Sequence, residues 1–181
     1  NPEWEDHYVD RIQRLYYRDQ NCASIVMWSL GNEAGGHRNF DVAYDWLKTV
    51  TDIPVHYESV YHSPRQAYDV ASHMYPSYET VQQIADKCYA LERFNDRPYF
   101  LCEYVHAMGV GPGAMEEYWE LFYKYDALIG GCVWEMVDHA VLHEDGSYTY
   151  GGDHGECLHD KYFCVDGMFY PDRSPSTGAK I

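Results

Sequence analysis

Short apolar runs and longer stretches with helical spacing alternate along most of the chain. In residues 4–18, Tyr8, Ile12 and Leu15 recur at intervals of three or four with charges between them, which predicts a helix. The same spacing predicts further helices over residues 40–50, 79–93 and 114–125. Apolar runs bounded by polar residues, Gly or Pro predict strands over residues 25–30, 54–58, 69–75, 98–103 and 130–134.

Strands separated by helices are typical of parallel βα units, so the sequence predicts an α/β fold. Five such strands are three fewer than a TIM barrel contains, and 181 residues are fewer than the roughly 250 of a usual barrel. After Trp134 the pattern changes to a hairpin over residues 141–150, turning at Asp145-Gly146, and then to Gly-, Asp- and Pro-rich loops. We therefore predict one domain fragment, with βα units in residues 1–137 and extended loops in residues 138–181.

Two glutamates stand at the ends of separate predicted strands. Glu33 closely follows the strand at 25–30, and Glu103 ends the strand at 98–103. Parallel α/β barrels carry out their chemistry at the carboxyl ends of their strands. A pair of carboxylates there is what glycoside hydrolysis requires, one as acid and the other as nucleophile or base. The alternative is that both acids are structural and accept hydrogen bonds from neighbouring backbone N–H groups.

Longer motifs surround these glutamates in a fixed order along the chain. They are Trp28-Ser-Leu-Gly-Asn-Glu33, Glu103-Tyr-Val-His-Ala-Met-Gly109, Gly130-Gly-Cys-Val-Trp-Glu-Met-Val-Asp138, Tyr150-Gly-Gly-Asp153 and Phe163-Cys-Val-Asp-Gly167. Together they resemble the catalytic TIM barrel of glycoside hydrolase family two, specifically its large β-galactosidases. The resemblance implies a partial (β/α)8 barrel that covers the fourth to eighth strands. The first three strands and the amino-terminal sandwich domains of the family have no counterpart in this sequence.

The resemblance also implies a catalytic role for each glutamate. Glu33 matches the general acid/base, and Glu103 matches the nucleophile that forms a covalent galactosyl-enzyme intermediate. A retaining mechanism requires the two carboxyl groups to lie about 5–5.5 Å apart. Because the acid must keep its proton near neutral pH, we expect Glu33 to have drier or more negative surroundings than Glu103.

Five further residues match substrate-site positions of the family: Asn32, Met74, Tyr75, His106 and Trp134. Asn32 is implied to bind near the sugar 2-hydroxyl, and the phenol of Tyr75 to hydrogen-bond the nucleophile. Trp134 is implied to form the floor under galactose. A structural role remains the alternative for three of them, as a strand-end amide (Asn32), a satisfied imidazole (His106) or a core side chain (Trp134).

Two cations are implied by the family. Mg²⁺ would bind Glu33 together with ligands that precede Asn1, and Na⁺ would bind the carbonyl of Phe163 and the side chain at position 166. This chain has Asp166 where the family has an asparagine, which places the sodium assignment in question. Residues 138–181, which we call the tail, include four His and Cys residues without the paired spacing of a structural zinc site; they are His154, Cys157, His159 and Cys164.

Composition narrows the classes of partner. The chain has 13 basic and 29 acidic residues, a net charge of −16 that argues against nucleic acid and anionic membrane surfaces. No signal peptide or membrane helix is visible. The six cysteines have no framework spacing, so we expect free thiols in a cytoplasmic protein, with Cys102 and Cys132 buried in strands.

We therefore expect a retaining hydrolase of terminal β-D-galactosides such as lactose. The alternatives are a family-two enzyme with another glycone, a β-glucuronidase or β-mannosidase, and an inactive carbohydrate-binding fragment. The expected partners are the substrate, the remaining part of the barrel with the other domains of the enzyme, and further copies of itself in a homo-oligomer. Open strand edges favour such association.

Overall fold

The computed structural model describes residues 1–179. A 3₁₀ turn at Pro2–Trp4 leads into the first helix, and further 3₁₀ turns lie at Val60–His62, Lys161–Cys164 and Thr177–Ala179. The helices are α1 (Glu5–Asp19), α2 (Arg38–Lys48), α3 (Tyr78–Ala85), α4 (Glu92–Asn95) and α5 (Met115–Lys124). The strands are β1 (Trp28–Ser29), β2 (Val55–His56), β3 (Ala71–Met74), β4 (Tyr99–Tyr104), β5 (Leu128–Val133), β6 (Val141–Leu142) and β7 (Tyr148–Thr149).

The first five strands run parallel in chain order. β1 pairs with β2, and β3, β4 and β5 form a second ladder. One backbone hydrogen bond connects the two groups, from the N–H of Val70 to the carbonyl of Val55 (3.3 Å). Within residues 1–179 no strand joins β5 back to β1, so the sheet is not closed. The predicted α/β fold with part of a TIM barrel is confirmed.

The core lies between the helices and the outer face of this sheet. Its most buried apolar residues are Ala43, Leu47, Val55, Val60, Val81, Ile84, Phe94 and Leu101. Buried tyrosines add large rings whose hydroxyls find partners at the edge of the core: Tyr68 donates to Asp41 (2.9 Å), and Tyr118 donates to the carbonyl of Pro76 (2.6 Å). Such rings bury well because the polar end is satisfied.

A polar ladder of side chains crosses the strands β1, β2 and β3. The two ring nitrogens of His56 lie 3.1 Å from the hydroxyl of Ser29 and 2.8 Å from that of Ser72. Burial lowers the pKa of His56 to about 4, so the ring is neutral at physiological pH. The ladder therefore fastens the short strands β1 and β2 to β3 without placing a charge in the interior.

The prediction of one helix over residues 79–93 is wrong. α3 ends at Ala85, and Lys87 adopts a left-handed conformation (φ +60°), which stops the helix. The side chain of Asn95 then bonds both the N–H and the carbonyl of Tyr89 (3.1 and 3.0 Å), so this segment forms a turn before α4. β1 and β2 are also shorter than predicted, with two residues each.

The tail contains the predicted hairpin. β6 and β7 are antiparallel, and Asp145 closes the turn by accepting from the N–H of Ser147 (2.9 Å). The cysteines are free thiols, as predicted. Cys102 is half-buried, and burial raises its pKa to about 11, but the expected burial of Cys132 is wrong because it lies exposed on the edge strand β5. None of the described helices is long and apolar enough to span a membrane.

Candidate active site

One cleft collects the strand-end residues that the sequence analysis assigned to catalysis and substrate binding. It has a volume of about 190 Å³ at the carboxyl ends of β1, β3, β4 and β5. Its lining consists of Asn32, Glu33, Met74, Tyr75, Glu103, His106, Trp134 and Phe163. A larger hollow of about 350 Å³ lies between α1 and α2, but its lining is mostly apolar and contains no carboxylate. The smaller cleft is therefore the candidate active site, because it contains the carboxylates that the larger hollow lacks.

The backbone is left-handed at three positions around this cleft. Glu33, Tyr75 and Val105 have φ values of +47°, +48° and +48°. Residues with a Cβ seldom adopt this conformation, because it costs roughly 1–2 kcal/mol each. Three strained residues at the ends of three strands are typical of a functional site held by its surroundings.

An irregularity in the pairing of β3 and β4 places Glu103 opposite the end of β3. The register between β3 and β4 shifts after His73, so that Met74 pairs with Glu103. The N–H of Tyr75 donates to the carbonyl of Glu103 (2.8 Å), and its hydroxyl donates to the carboxylate (2.8 Å). Burial raises the pKa of Glu103; the Tyr75 hydroxyl opposes this, and the charges of Glu33 and Glu58 reinforce it.

Trp134 and His106 form the other wall. The N–H of Ala107 donates to the carbonyl of Trp134 (2.8 Å), which fixes the end of β4 against the end of β5. The indole N–H of Trp134 donates to the buried carboxylate of Asp166 (3.0 Å), and His106 Nε2 lies 3.9 Å from the same oxygen. Asp166 thus contacts the side chains of both Trp134 and His106. The indole of Trp134 is half-buried in the cleft wall.

Glu33 lies in the loop after β1 and is exposed, whereas Glu103 is half-buried. We expected drier or more negative surroundings for Glu33, and among the described residues the first of these alternatives is wrong. A negative group does lie against it, since the backbone N–H of Glu33 donates to the carboxylate of Glu58 (2.9 Å). Glu33 and Glu103 line the same cleft, and the negative charge of Glu33 contributes to the raised pKa of Glu103.

Sequence reasoning missed two acids beside this cleft. Glu58 lies two residues after the end of β2 and is 4% exposed. Its position after a short apolar run, in Pro54-Val-His-Tyr-Glu58, is the same signal that identified Glu33 and Glu103. The second acid, Glu135, follows Trp134. Burial and the neighbouring Asp166 raise the pKa of Glu135 to about 7. Its carboxylate lies 3.1 Å from Nε2 of His139.

The implied cations fit the chain to different degrees. Asp166 Oδ1 is buried and has no hydrogen-bond partner among residues 1–179, so it offers the anionic oxygen that a cation would take. This oxygen fits the sodium assignment. For Mg²⁺ the chain offers Glu33, and among residues 1–179 no three His, Cys, Asp or Glu side chains are grouped closely enough to hold a metal ion. That finding includes the His and Cys residues of the tail.

The whole chain matches one known protein family. Residues 1–181 match the family described as glycosyl hydrolases family 2, TIM barrel domain. The chain belongs to glycoside hydrolase family 2. Membership agrees with the parallel strands and with a cleft that carries two glutamates.

Similar proteins include several β-galactosidases. The β-galactosidase of Arthrobacter sp. (strain B7) is 45% identical over 192 residues, which cover 98% of this chain and 19% of that protein. The β-galactosidase of Actinobacillus pleuropneumoniae is 41% identical, covering 97% of this chain and 18% of that protein. That of Kluyveromyces lactis is 39% identical, covering 98% and 18%. The family 2 chain thus spans less than a fifth of the length of these relatives.

Solved structures of similar fold include β-glucuronidases. The enzyme from an uncultured Clostridium sp. superposes with a TM-score of 0.63 at 18% identity, covering 99% of this chain and 35% of that chain. The enzyme of Dictyoglomus thermophilum gives a TM-score of 0.61 at 18% identity, covering 97% and 34%. At this identity the likeness shows that the family 2 chain shares their fold.

Proposed function

We propose that this chain is the C-terminal part of the catalytic barrel of a retaining β-galactosidase. The observation that carries the proposal is the pairing of Glu33 and Glu103 from separate strands in one cleft, with the Tyr75 hydroxyl on Glu103. Two carboxylates facing a sugar-sized hollow are the minimum machinery of a retaining glycosidase.

In the first step, the carboxylate of Glu103 attacks the anomeric carbon while Glu33 protonates the departing glycosidic oxygen. This gives a galactosyl ester on Glu103 and a free alcohol. In the second step, Glu33 takes a proton from water, which attacks the anomeric carbon and releases Glu103. Tyr75 stabilises Glu103 whenever it carries negative charge, before attack and on departure.

The remaining residues of the cleft position the sugar. Asn32 is proposed to bind the 2-hydroxyl, a contact that strengthens in the oxocarbenium-like transition state. Met74 and His106 contact the substrate, and the indole of Trp134 packs against the C–H groups of one sugar face. Na⁺ bound by Asp166 and the Phe163 carbonyl would supply positive charge for a sugar hydroxyl, and Mg²⁺ would bind Glu33 with ligands from elsewhere in the enzyme.

The preference for galactose over glucuronic acid rests on two observations. The relatives named β-galactosidase are 39–45% identical to the chain, whereas the glucuronidase structures are 18% identical. In addition, the described lining contains no Lys or Arg to bind the carboxylate of a uronic acid, and Asp166 lies behind it.

Mechanism-based labelling of the complete enzyme tests the proposal. A 2-deoxy-2-fluoro-β-D-galactosyl fluoride should leave its sugar covalently attached to Glu103, because the 2-fluorine slows both steps and the good leaving group, fluoride, keeps only the first step fast. Peptide mass spectrometry locates the label, and Glu103→Gln should abolish it whereas Glu92→Gln on α4 should not. A label on another residue would contradict the nucleophile, and faster labelling by the 2-fluoroglucuronide or 2-fluoromannoside would contradict the galactoside preference.

A leaving-group series tests Glu33. Glu33→Ala should lower kcat/KM for alkyl galactosides by about 10²–10⁴-fold, since their poor leaving groups need protonation. Dinitrophenyl galactoside needs none, so its kcat/KM should change far less. Equal losses on both classes would remove Glu33 from the acid role.

A further inference from the structure

Glu58 is a buried carboxylate that the mechanism above does not use. It lies two residues after the end of β2, and its Oε2 accepts hydrogen bonds from the backbone N–H of Glu33 (2.9 Å) and from the hydroxyl of Ser59. A buried carboxylate is costly unless donors satisfy it. These two donors therefore fix where the Glu58 side chain lies, and through it the backbone of Glu33.

The loop that carries Glu33 has little support of its own. β1 ends at Ser29, and no helix or strand forms before α2 begins at Arg38. Within this loop Glu33 has a φ of +47°, a conformation that its own side chain disfavours. Contacts from outside the loop must therefore hold it in place.

Those contacts come from one segment, Tyr57–His62, which we call the β2 clamp. Besides the bond from Glu58, the hydroxyl of Tyr57 donates to the carbonyl of Gly35. Gly36 lies directly on His62, where an added Cβ would be 2.3 Å from the His62 Cβ. The clamp itself is rigid: Tyr57 is fully buried and its ring stacks on Phe40 (4.0 Å between centroids).

We propose that Glu58 is a positioning residue for the acid/base glutamate. Its carboxylate holds the N–H of Glu33, keeps Glu33 in the left-handed conformation, and thereby directs the Glu33 carboxyl across the cleft to the glycosidic oxygen. A general acid must lie within hydrogen-bonding distance of the atom that it protonates, so a small displacement removes its effect. Glu58 lies outside the lining of the cleft and acts through Glu33. The inference rests on the proposed acid/base role of Glu33.

The test compares leaving groups in the complete enzyme. Glu58→Leu removes the acceptor, so kcat/KM for an alkyl galactoside should fall by about 100-fold while that for dinitrophenyl galactoside stays within about fivefold. kcat/KM reports the first step of the reaction, so this comparison does not depend on the later role of Glu33 as base. Glu58→Gln keeps an acceptor oxygen and should retain most of the activity on the alkyl galactoside. A general loss of folding or stability would reduce both substrates equally and would overturn the proposal.

A double substitution and a milder variant complete the test. In a Glu33→Ala background, Glu58→Leu should lower the alkyl rate by less than about threefold further, because residues that act as one unit are not additive. Additive losses would contradict the proposal. If Glu58→Leu does not fold, Tyr57→Phe removes the second contact of the clamp and retains the ring. It should show a smaller loss confined to the alkyl galactoside, and equal losses on both substrates would again overturn the proposal.

Asp41 provides the matched control. It is 8% exposed and accepts from the hydroxyl of Tyr68 (2.9 Å), but it lies on α2 away from the cleft. Asp41→Leu should lower stability without discriminating between leaving groups, and selectivity as strong as that of Glu58→Leu would overturn the assignment. If Glu33→Ala itself shows no leaving-group selectivity, the proposed function fails. If Glu33→Ala shows leaving-group selectivity and Glu58→Leu does not, the proposed function stands and only the positioning role of Glu58 fails.

Discussion

The hydroxyl of Tyr75 donates a hydrogen bond to the carboxylate of Glu103, with 2.8 Å between the two oxygens. The backbone N–H of the same tyrosine donates to the carbonyl of the same glutamate, also at 2.8 Å. This double contact joins the ends of β3 and β4. It also opposes the burial and the two neighbouring glutamates that raise the pKa of Glu103.

Tyr75→Phe should therefore impair the nucleophile. Loss of a hydrogen bond to a charged group is expected to reduce kcat/KM by about 10- to 100-fold. The pKa of Glu103 should rise further, and because only the carboxylate attacks, the acidic limb of the kcat/KM profile should move to higher pH. A pH–rate profile measures both effects. Tyr125→Phe, which removes a similar hydroxyl from Asp86 (2.8 Å), should leave the profile unchanged.

Much of this cleft was predictable from sequence because catalytic groups at strand ends lie next to apolar runs. The strand-end positions of Glu33 and Glu103 were recognisable in this way, and the family resemblance added Tyr75 and Trp134. Glu58 follows the same rule, but the run before it is short and its role depends on a contact with a loop 25 residues earlier in the chain. Sequence periodicity carries no information on such a contact.

The errors in the predicted fold have similar causes. Periodicity over residues 79–93 favours a helix, but the left-handed Lys87 and the hydrogen bonds of Asn95 to Tyr89 form a turn. Local pattern cannot foresee a side chain that competes for the backbone. Cys132 lies in an apolar run, which predicted burial, but it is on an edge strand with no described neighbour on that side.

The environment of Asp166 gives a test of the sodium assignment. One carboxylate oxygen accepts from Trp134 (3.0 Å), and the other is buried without a hydrogen-bond partner in the part of the chain that the structure describes. If that oxygen binds Na⁺, Asp166→Asn removes a full charge from the ligand and should raise the Na⁺ concentration needed for the half-maximal effect on KM by about tenfold. The KM for an aryl galactoside, titrated with Na⁺ at constant ionic strength, measures this.

A neighbouring acid supplies the control for sodium. Asp138 is also buried, but its carboxylate accepts from the N–H of Gly167 (2.7 Å) and is therefore satisfied. Asp138→Asn should leave the cation dependence of KM unchanged. An unchanged dependence in Asp166→Asn as well would mean that no sodium site is built on this carboxylate.

The buried His56 and the half-buried His73 predict the pH dependence of stability. Burial lowers the pKa of both His56 and His73 to about 4, whereas an unfolded histidine titrates at about 6.5. Between these values the unfolded chain binds protons that the folded chain does not, so stability falls as pH falls through this window. From pH 7 to pH 5 each histidine should contribute a loss of roughly 2 kcal/mol.

Urea unfolding of the complete enzyme or of a folded assembly of this chain, at pH 7 and pH 5, measures this loss. His56→Gln removes one titrating group from between Ser29 and Ser72, so its free energy of unfolding should depend less steeply on pH than that of the parent. His159→Gln changes an exposed histidine of the tail and should retain the parental slope. Equal slopes in all three proteins would contradict a buried neutral His56.

The 181-residue polypeptide by itself should associate and should not hydrolyse galactosides. β1 and β5 are the outer strands of the described sheet, and each leaves backbone N–H and carbonyl groups without a strand partner on one side. An apolar hollow of about 390 Å³ also opens at the starts of the strands, with Val26 79% and Ile129 49% exposed beside Phe100. Water contact with such a surface is unfavourable, so copies of the chain should bury it against each other.

Sedimentation velocity and a chromogenic β-galactoside measure association and activity on the same sample. The Val26→Lys and Ile129→Lys double variant places charges at the apolar hollow and should shift the polypeptide towards smaller species without producing activity, because the strand edges remain open. Glu120→Lys on the exposed face of α5 changes charge elsewhere and should not alter the distribution. A stable monomer that hydrolyses the galactoside as fast as a complete enzyme would contradict the prediction, since the five parallel strands would then hold a complete site.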